Sequence, residues 1–167
     1  MELDDDDREK ILKNLSIQEI AEEVEELDSD DATDIISELP EEKQKKVISK
    51  ISDAEHKADI RELLKYDDDS AGGLMAKELI KVNENWSVTR CVKEMRTQAS
   101  EVTRVHSVYV VDNEDILLGR LSLKDLLVAQ PKTKIKSIYK KNVDCVYDSD
   151  TAESVASTMQ KYDLGAI

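Results

Sequence analysis

The chain has 167 residues, 40% apolar and 4% aromatic, with no Phe and a net charge of −14. That supplies enough apolar material for one or two small domains with Leu, Ile, Val and Ala cores, and it excludes a disordered polyelectrolyte. The longest purely apolar runs, such as Val108-Tyr109-Val110-Val111, fall far short of the ~20 residues of a membrane span.

The first residues, Met1-Glu2-Leu3-Asp4, lack the basic and apolar regions of a signal peptide. Residues 1–70 hold 25 Asp/Glu and 10 Lys/Arg, whereas residues 71–167 hold 13 and 14. The change falls at Gly72-Gly73 and reads as a domain boundary. So acidic a first half repels phosphate backbones, which argues against a nucleic-acid partner. It stores self-repulsion that bound cations relieve, unless the charge serves solubility alone.

A constant spacing organises this half. Leu15, Leu27, Leu39, Ile51 and Leu63 fall on one register, and Val24, Ile36, Ile48 and Ile60 on a second with the same period. A helix-start signal follows each first-register residue: Ser16, Asp28, Pro40 and Ser52. Ser16-x-x-Glu19 and Ser52-x-x-Glu55 read as capping boxes, and Pro40 suits a first helical turn. Each unit is then one short helix, too short to be stable alone, in a superhelical stack with Leu and Ile inside and carboxylates outside.

Asp28 to Asp34 places four carboxylates at one helix start, with Asp30 and Asp34 on one face. Hard dications take oxygen ligands, and Mg2+ keeps several waters while touching one or two carboxylates. The same acids also suit the positive end of a helix dipole without any ion. Gly72-Gly73 is expected to end the helix that contains Leu63, Leu64 and Tyr66.

Beyond the glycines the period changes. Ile80 to Val82 starts an extended segment, and Ser87 caps a helix through Val88, Cys91, Val92 and Met95. Val105 to Val111 reads as a strand ending in an Asp112-Asn113 turn, and Ile116 to Leu121 as another. Ser122 starts a further helix through Val128. A second copy follows at one constant offset, with Val146, Thr151, Ala156 and Met159 matching Val82, Ser87, Val92 and Met95. A complete copy would run to about 192, so this sequence is expected to be a piece of a longer chain.

Catalytic inventory is absent. His56 and His106 are the only histidines, both read as isolated, and no nucleophile elbow, zinc motif or P-loop occurs. Cys91 and Cys145 lie in apolar patterns without metal-ligand spacing and read as reduced core cysteines of a cytosolic protein.

Two stretches carry a family resemblance. Tyr66-Asp67-Asp68-Asp69-Ser70-Ala71-Gly72-Gly73-Leu74-Met75 is similar to the junction between the N domain and the CBS region of MgtE-type magnesium transporters. Leu27-x-x-Asp30-Asp31-x-x-Asp34-Ile35-Ile36-x-x-Leu39-Pro40 resembles that family's N-domain repeat, and the β–α–β–β–α order after the glycines resembles a CBS motif. The resemblance implies an α+β chain of two domains, a short-helix superhelical stack followed by a CBS (βαββα) domain with an incomplete second copy. Its boundaries are 1–66 for the acidic domain, 67–79 for the junction, 80–130 for the first CBS motif and 131–167 for the start of the second.

Function follows from the resemblance as expectation. The chain is expected to be a non-enzymatic Mg2+-sensing region on the cytoplasmic side of a membrane transporter, with the transmembrane pore domain elsewhere in its parent chain. Mg2+ would be shared by Asp30 and Asp34 with Glu153 and Asp163 of the second CBS copy, with Asp31 and Asp68 as further candidates. Repulsion among these acids opens the assembly at low Mg2+, and bound ions hold the compact, pore-closed form. CBS pairs also bind ATP or AMP, for which Ser122, Lys124 and Asp125 match the pattern; Ser107 and Leu164 stand where some relatives stack adenine on aromatics. The alternative function is an adenine-nucleotide-responsive CBS module with the helical domain as a docking scaffold. CBS regions usually dimerise, so a homodimer is expected.

Overall fold

The computed structural model of the chain describes residue 12 and residues 14–99, 102, 107–141 and 143–167. His106 and the beginning of the strand expected from Val105 lie outside the described residues, as do the first residues of the chain. The described chain divides into two compact units, one ending at Lys77 and joined by Asp148–Ala152, the other comprising Glu78–Tyr147 and Glu153–Ile167.

Among the described residues the first unit contains the helices α1 (Ile17–Glu25), α2 (Ser29–Ser37), α3 (Glu41–Lys50) and α4 (Ala54–Leu63). The constant spacing is their packing rule. Val24, Ile36, Ile48 and Ile60 are all buried, as are Leu39, Ile51 and Leu63, while Leu15 and Leu27 pack half-buried against the same core. A helix of nine or ten residues gains little from its own backbone, so this shared core holds the stack together.

The helix starts differ in chemistry. Ser16 and Glu19 form the expected reciprocal box, Ser16 N donating to Glu19 Oε2 at 2.8 Å and Glu19 N to Ser16 Oγ at 3.2 Å. Hydrogen bonds from the Ser16 side chain and from its backbone N–H hold the Glu19 carboxyl below its ordinary range. Ser52 is not the cap of α4. Asp53 is, accepting from His56 N at 2.8 Å. The Ser52 and Asp53 N–H groups both donate to Glu25 Oε1 of α1, each at 2.8 Å. Pro40 sits one residue before α3, as its N-cap, instead of in the first turn.

Glu25 thus satisfies two backbone donors at the start of a helix far along the chain. Glu25→Ala should lower unfolding stability by about 1 kcal/mol, the usual cost of losing a helix cap. Urea unfolding measures it, and a change indistinguishable from that of an exposed Glu22→Ala variant would contradict the role.

Gly72-Gly73 does not terminate α4, whose cap is Leu64. The pair lies more than a helical turn later, and neither glycine has a positive φ. Close approach explains them: a Cβ on Gly72 would overlap the Tyr66 ring, and one on Gly73 would overlap the Asp67 carbonyl. The Tyr66 hydroxyl donates to Asp148 Oδ2 at 3.2 Å. Its removal from water and this carboxylate both push the phenol above its ordinary pKa.

In the second unit, β1 (Ile80–Asn83), α5 (Val88–Gln98), β2 (Val108–Val111), β3 (Leu117–Leu121) and α6 (Leu123–Val128) follow in order, then a 3-10 turn at Ile135–Ser137 and β4 (Lys140–Lys141). The sheet order is β1-β2-β3-β4, with β1 parallel to β2 and the other two pairs antiparallel. Alternation along β1 and β2 sends Ile80, Val82, Val108 and Val110 to one face, where Val88, Cys91, Leu121, Leu126 and Ile135 complete the core. Ser87 caps α5 as expected, accepting from Arg90 N at 3.3 Å.

The last helix, α7 (Ala152–Tyr162), repeats α5 at the offset that relates Met159 to Met95, and the two helices are equally long. The repeat extends to backbone pairing. Ile135 N donates to Trp86 O, Lys136 N to Glu84 O and Val88 N to Thr133 O; at the repeat-related positions, Ala71 N donates to Asp150 O, Gly72 N to Asp148 O and Ala152 N to Asp69 O. Ser87 bridges Lys134 as Thr151 bridges Ser70. The segment 69–72 therefore serves residues 148–152 as segment 133–136 serves residues 84–88. This reciprocal exchange is why a short stretch from late in the chain belongs to the helical unit.

The two thiols part company. Cys91 is buried, and burial pushes its pKa up to about 11. Cys145, expected in a core, is exposed, because residues 143–147 run outside the sheet. Iodoacetamide at neutral to mildly alkaline pH should therefore label the native protein at Cys145 and reach Cys91 only on unfolding. Comparable labelling of both thiols in the native state, read by peptide mass, would contradict this burial.

Candidate functional site

The candidate cation site centres on α2. Asp28 is its N-cap without a side-chain capping bond, Asp30 and Asp31 occupy the first turn, and Asp34 follows one turn later. What orients this helix is polar and buried. Ser29 is fully buried, and its hydroxyl accepts from the Lys77 backbone N–H at 2.9 Å. The Thr33 hydroxyl donates to the Ser29 carbonyl at 2.6 Å. Lys77 also pairs with Glu62 of α4 at 2.6 Å, which holds the Glu62 carboxyl below its ordinary range. With Ser29, Ala32, Thr33 and Ile36 turned inward, Asp31 and Asp34 are exposed and Asp30 is half-buried.

Asp34 and Asp68 line one cavity of about 190 Å3, together with Thr33, Ser37, Tyr66 and Gly73. This brings two of the sequence-derived acids together. Asp30 and Asp31 do not line that cavity. Glu153 lies in the first turn of α7 and Asp163 just past its end, so the helix keeps them roughly 15 Å apart along its axis. Asp163 takes a left-handed backbone with φ 52°, an arrangement that ends the helix as Leu164 N donates back to Met159 O at 2.9 Å. Among the described residues no three His, Cys, Asp or Glu side chains gather as a complete metal cage. Mg2+ bound largely through waters does not require one.

For the nucleotide pattern, Ser122 is the N-cap of α6 but makes no capping bond with its side chain. Lys124 is exposed and Asp125 half-buried, as are Ser107 and Leu164. Sequence reasoning missed Ser29, Thr33 and Lys77, which position α2. The signal was present: Ser29 and Thr33 fall in the i, i+3, i+4, i+7 series with Ala32 and Ile36, on the inward face of a helix.

A short-helix acidic repeat joined to a β–α–β–β–α unit that begins to repeat itself defines the class, an acidic helical domain followed by a CBS region. Comparison with known proteins agrees. Residues 1–69 match the MgtE intracellular N domain, and residues 71–132 match the CBS domain. The chain belongs to the MgtE family. It is 36% identical over 114 residues to the magnesium transporter MgtE of Enterococcus faecalis, covering 68% of this chain and 25% of that protein. It also resembles the crystal structure of the soluble part of a magnesium transporter, with a TM-score of 0.87 and 31% identity, over 98% of this chain and 63% of the other. The cytosolic domain of the Mg2+ channel MgtE in complex with ATP matches at a TM-score of 0.86 and 32% identity, over 97% and 66%. The chain thus spans about a quarter of the length of the curated relative. No helix among the described residues is long and apolar enough to cross a membrane.

Proposed function

We propose that this chain is the Mg2+-sensing regulatory region of a magnesium transporter, working on the cytoplasmic side of the membrane and without catalysis. Residues 1–66 form the sensing domain, residues 67–79 the junction, residues 80–130 the first CBS motif and residues 131–167 the start of the second. Asp30 and Asp34, aided by Asp31 and Asp68, share Mg2+ with Glu153 and Asp163. Repulsion among these acids drives the parts apart at low Mg2+, and bound ions favour the compact form that closes the pore of the parent chain. Such a switch requires tighter Mg2+ binding to the compact state than to the open one.

The observation that carries this reading is the pairing of Asp34 with Asp68 in one cavity beside Gly73. Two carboxylates and a chain turn offer the oxygen-rich, partly hydrated surroundings that Mg2+ takes. Manganese(II) tests it as a paramagnetic stand-in for Mg2+. Amide signals of residues 30–34 and 66–73 should broaden first in an NMR titration, and excess Mg2+ should restore them. Uniform broadening over every acidic surface of the protein would remove the assignment.

A homodimer through the CBS region belongs to the same reading. Leu123 and Leu127, four apart on α6, are 48% and 84% exposed, with Val128 beside them at 76%. An apolar face of that kind on a short helix suits burial against a second copy.

A second reading keeps ATP as a ligand of the CBS region, held by Ser122, Lys124 and Asp125. Its support is the Ser122 hydroxyl left out of helix capping, together with the ATP complex of the structural relative. Calorimetry with ATP decides it: saturable heat that Asp125→Ala removes supports this reading, and no heat ends it.

A further inference from the structure

The junction from Tyr66 to Gly73 is tied to itself. Ser70 N and Ser70 Oγ both donate to the Asp67 carbonyl, at 2.9 and 2.7 Å, and Gly73 N donates to Ser70 Oγ at 3.1 Å. The Gly72 and Gly73 backbones lie against the Tyr66 ring and the Asp67 carbonyl, with no space for a Cβ. Packed pieces of this kind shift between arrangements as units instead of deforming continuously.

This turn meets two groups of residues. Tyr66, Asp68 and Gly73 line the cavity that Asp34 also lines. Ala71 N and Gly72 N donate to Asp150 O and Asp148 O, and Asp69 O accepts from Ala152 N, the first residue of α7. Tyr66 takes part in both, since its side chain is cavity wall and its hydroxyl donates to Asp148 Oδ2 at 3.2 Å. The phenol, pushed above its ordinary pKa, remains a donor at neutral pH. A phenylalanine would supply the ring against Gly72 equally well, so the hydroxyl adds the link to Asp148 and nothing to that packing.

We propose that Tyr66 is a positioning residue that couples cation binding in this cavity to the docking of residues 148–152, the lead-in to α7. The coupling rests on the reading of that cavity as a Mg2+ site. A cation held by Asp34 and Asp68 fixes the turn and the Tyr66 wall. The fixed ring keeps its hydroxyl on Asp148, and the pairing of residues 69–72 with residues 148–152 becomes harder to open. Such coupling is reciprocal, so a docked 148–152 segment favours the cation by the same factor. A merely structural hydrogen bond would also hold the segment, but equally with and without Mg2+.

Amide hydrogen exchange at Gly72 and Ala152, in chelator and in Mg2+, tests the coupling, while manganese(II) broadening of residues 30–34 reports separately on the cavity. In the parent protein Mg2+ should slow exchange at both amides, within the range of about 5–150-fold usual for coupled sites. Tyr66→Phe keeps the ring and loses the hydroxyl. Its cavity signals should still broaden, at a higher manganese(II) concentration, while the Mg2+-dependent slowing should drop below about fivefold. Asp148→Ala, which removes the acceptor, should reproduce that loss, and Asp148→Asn, which keeps one, should behave like the parent protein. Equal slowing in the parent and Tyr66→Phe proteins overturns the coupling. So does cavity broadening in a parent protein whose Gly72 and Ala152 exchange at the same rate with and without Mg2+. Absence of cavity broadening in the parent protein removes the Mg2+ site itself, and the coupling with it.

Discussion

Replacing Asp30 and Asp34 together with alanine is expected to remove most of the Mg2+-dependent rise in thermal stability. A ligand that binds only the folded, compact state stabilises it by about 2.7 kcal/mol at a hundred times its dissociation constant. For a chain of this length that is a rise of roughly 5–10 °C in Tm. Both acids lie on α2, whose inward face is fixed by Ser29 and Thr33, so their removal leaves the packing in place. In chelator the variant should stay within about 1 kcal/mol of the parent, since it loses a favourable dipole interaction at a helix start but also loses repulsion. Thermal unfolding with and without Mg2+ reads both numbers. A double variant that gains as much from Mg2+ as the parent protein would remove the metal assignment and leave the family membership untouched.

The second large effect concerns the stack itself. Ile36→Ala should cost about 2–5 kcal/mol, because Ile36 is fully buried on the inner register and the helices around it cannot close the resulting cavity. The loss should be local in character. A repeat is stabilised by its neighbours, so hydrogen exchange should quicken across α1–α4 while β1, β2 and β3 keep their protection. Urea unfolding gives the size of the effect and exchange gives its reach. A cost below that of an exposed substitution would show that the repeating register does not describe the core.

That register was legible because a superhelical stack buries the same position of every unit. Val24, Ile36, Ile48 and Ile60 report one fact four times. The β–α–β–β–α order was legible for a similar reason, since a half-buried sheet alternates and its helices do not. Other features depend on groups distant in sequence. Glu25 serves the start of a helix several turns of chain away, and nothing near Ser52 signals that its own N–H is already taken. Gly72 is needed for the ring of Tyr66, which precedes it in the chain. The internal repeat was visible in Met95 and Met159, yet the exchange of segment 69–72 onto residues 148–152 was not, because backbone pairing leaves little trace in side-chain identity.

The site was legible in part for the same reasons. Local spacing placed Asp30 and Asp34 on one helix, and the family motif drew attention to Asp68. Only folding could reveal that Asp34 and Asp68 line one cavity, or that Ser29 and Lys77 hold α2 in place. Cys145 was misread because its apolar neighbours suggested a core that the described residues do not build around it.

Small-angle scattering in chelator and in saturating Mg2+ probes the proposed switch most directly. Ion sharing between carboxylates of separate elements predicts a smaller radius of gyration with Mg2+, and no such contraction in the Asp30→Ala, Asp34→Ala protein. Identical dimensions in both conditions would contradict it.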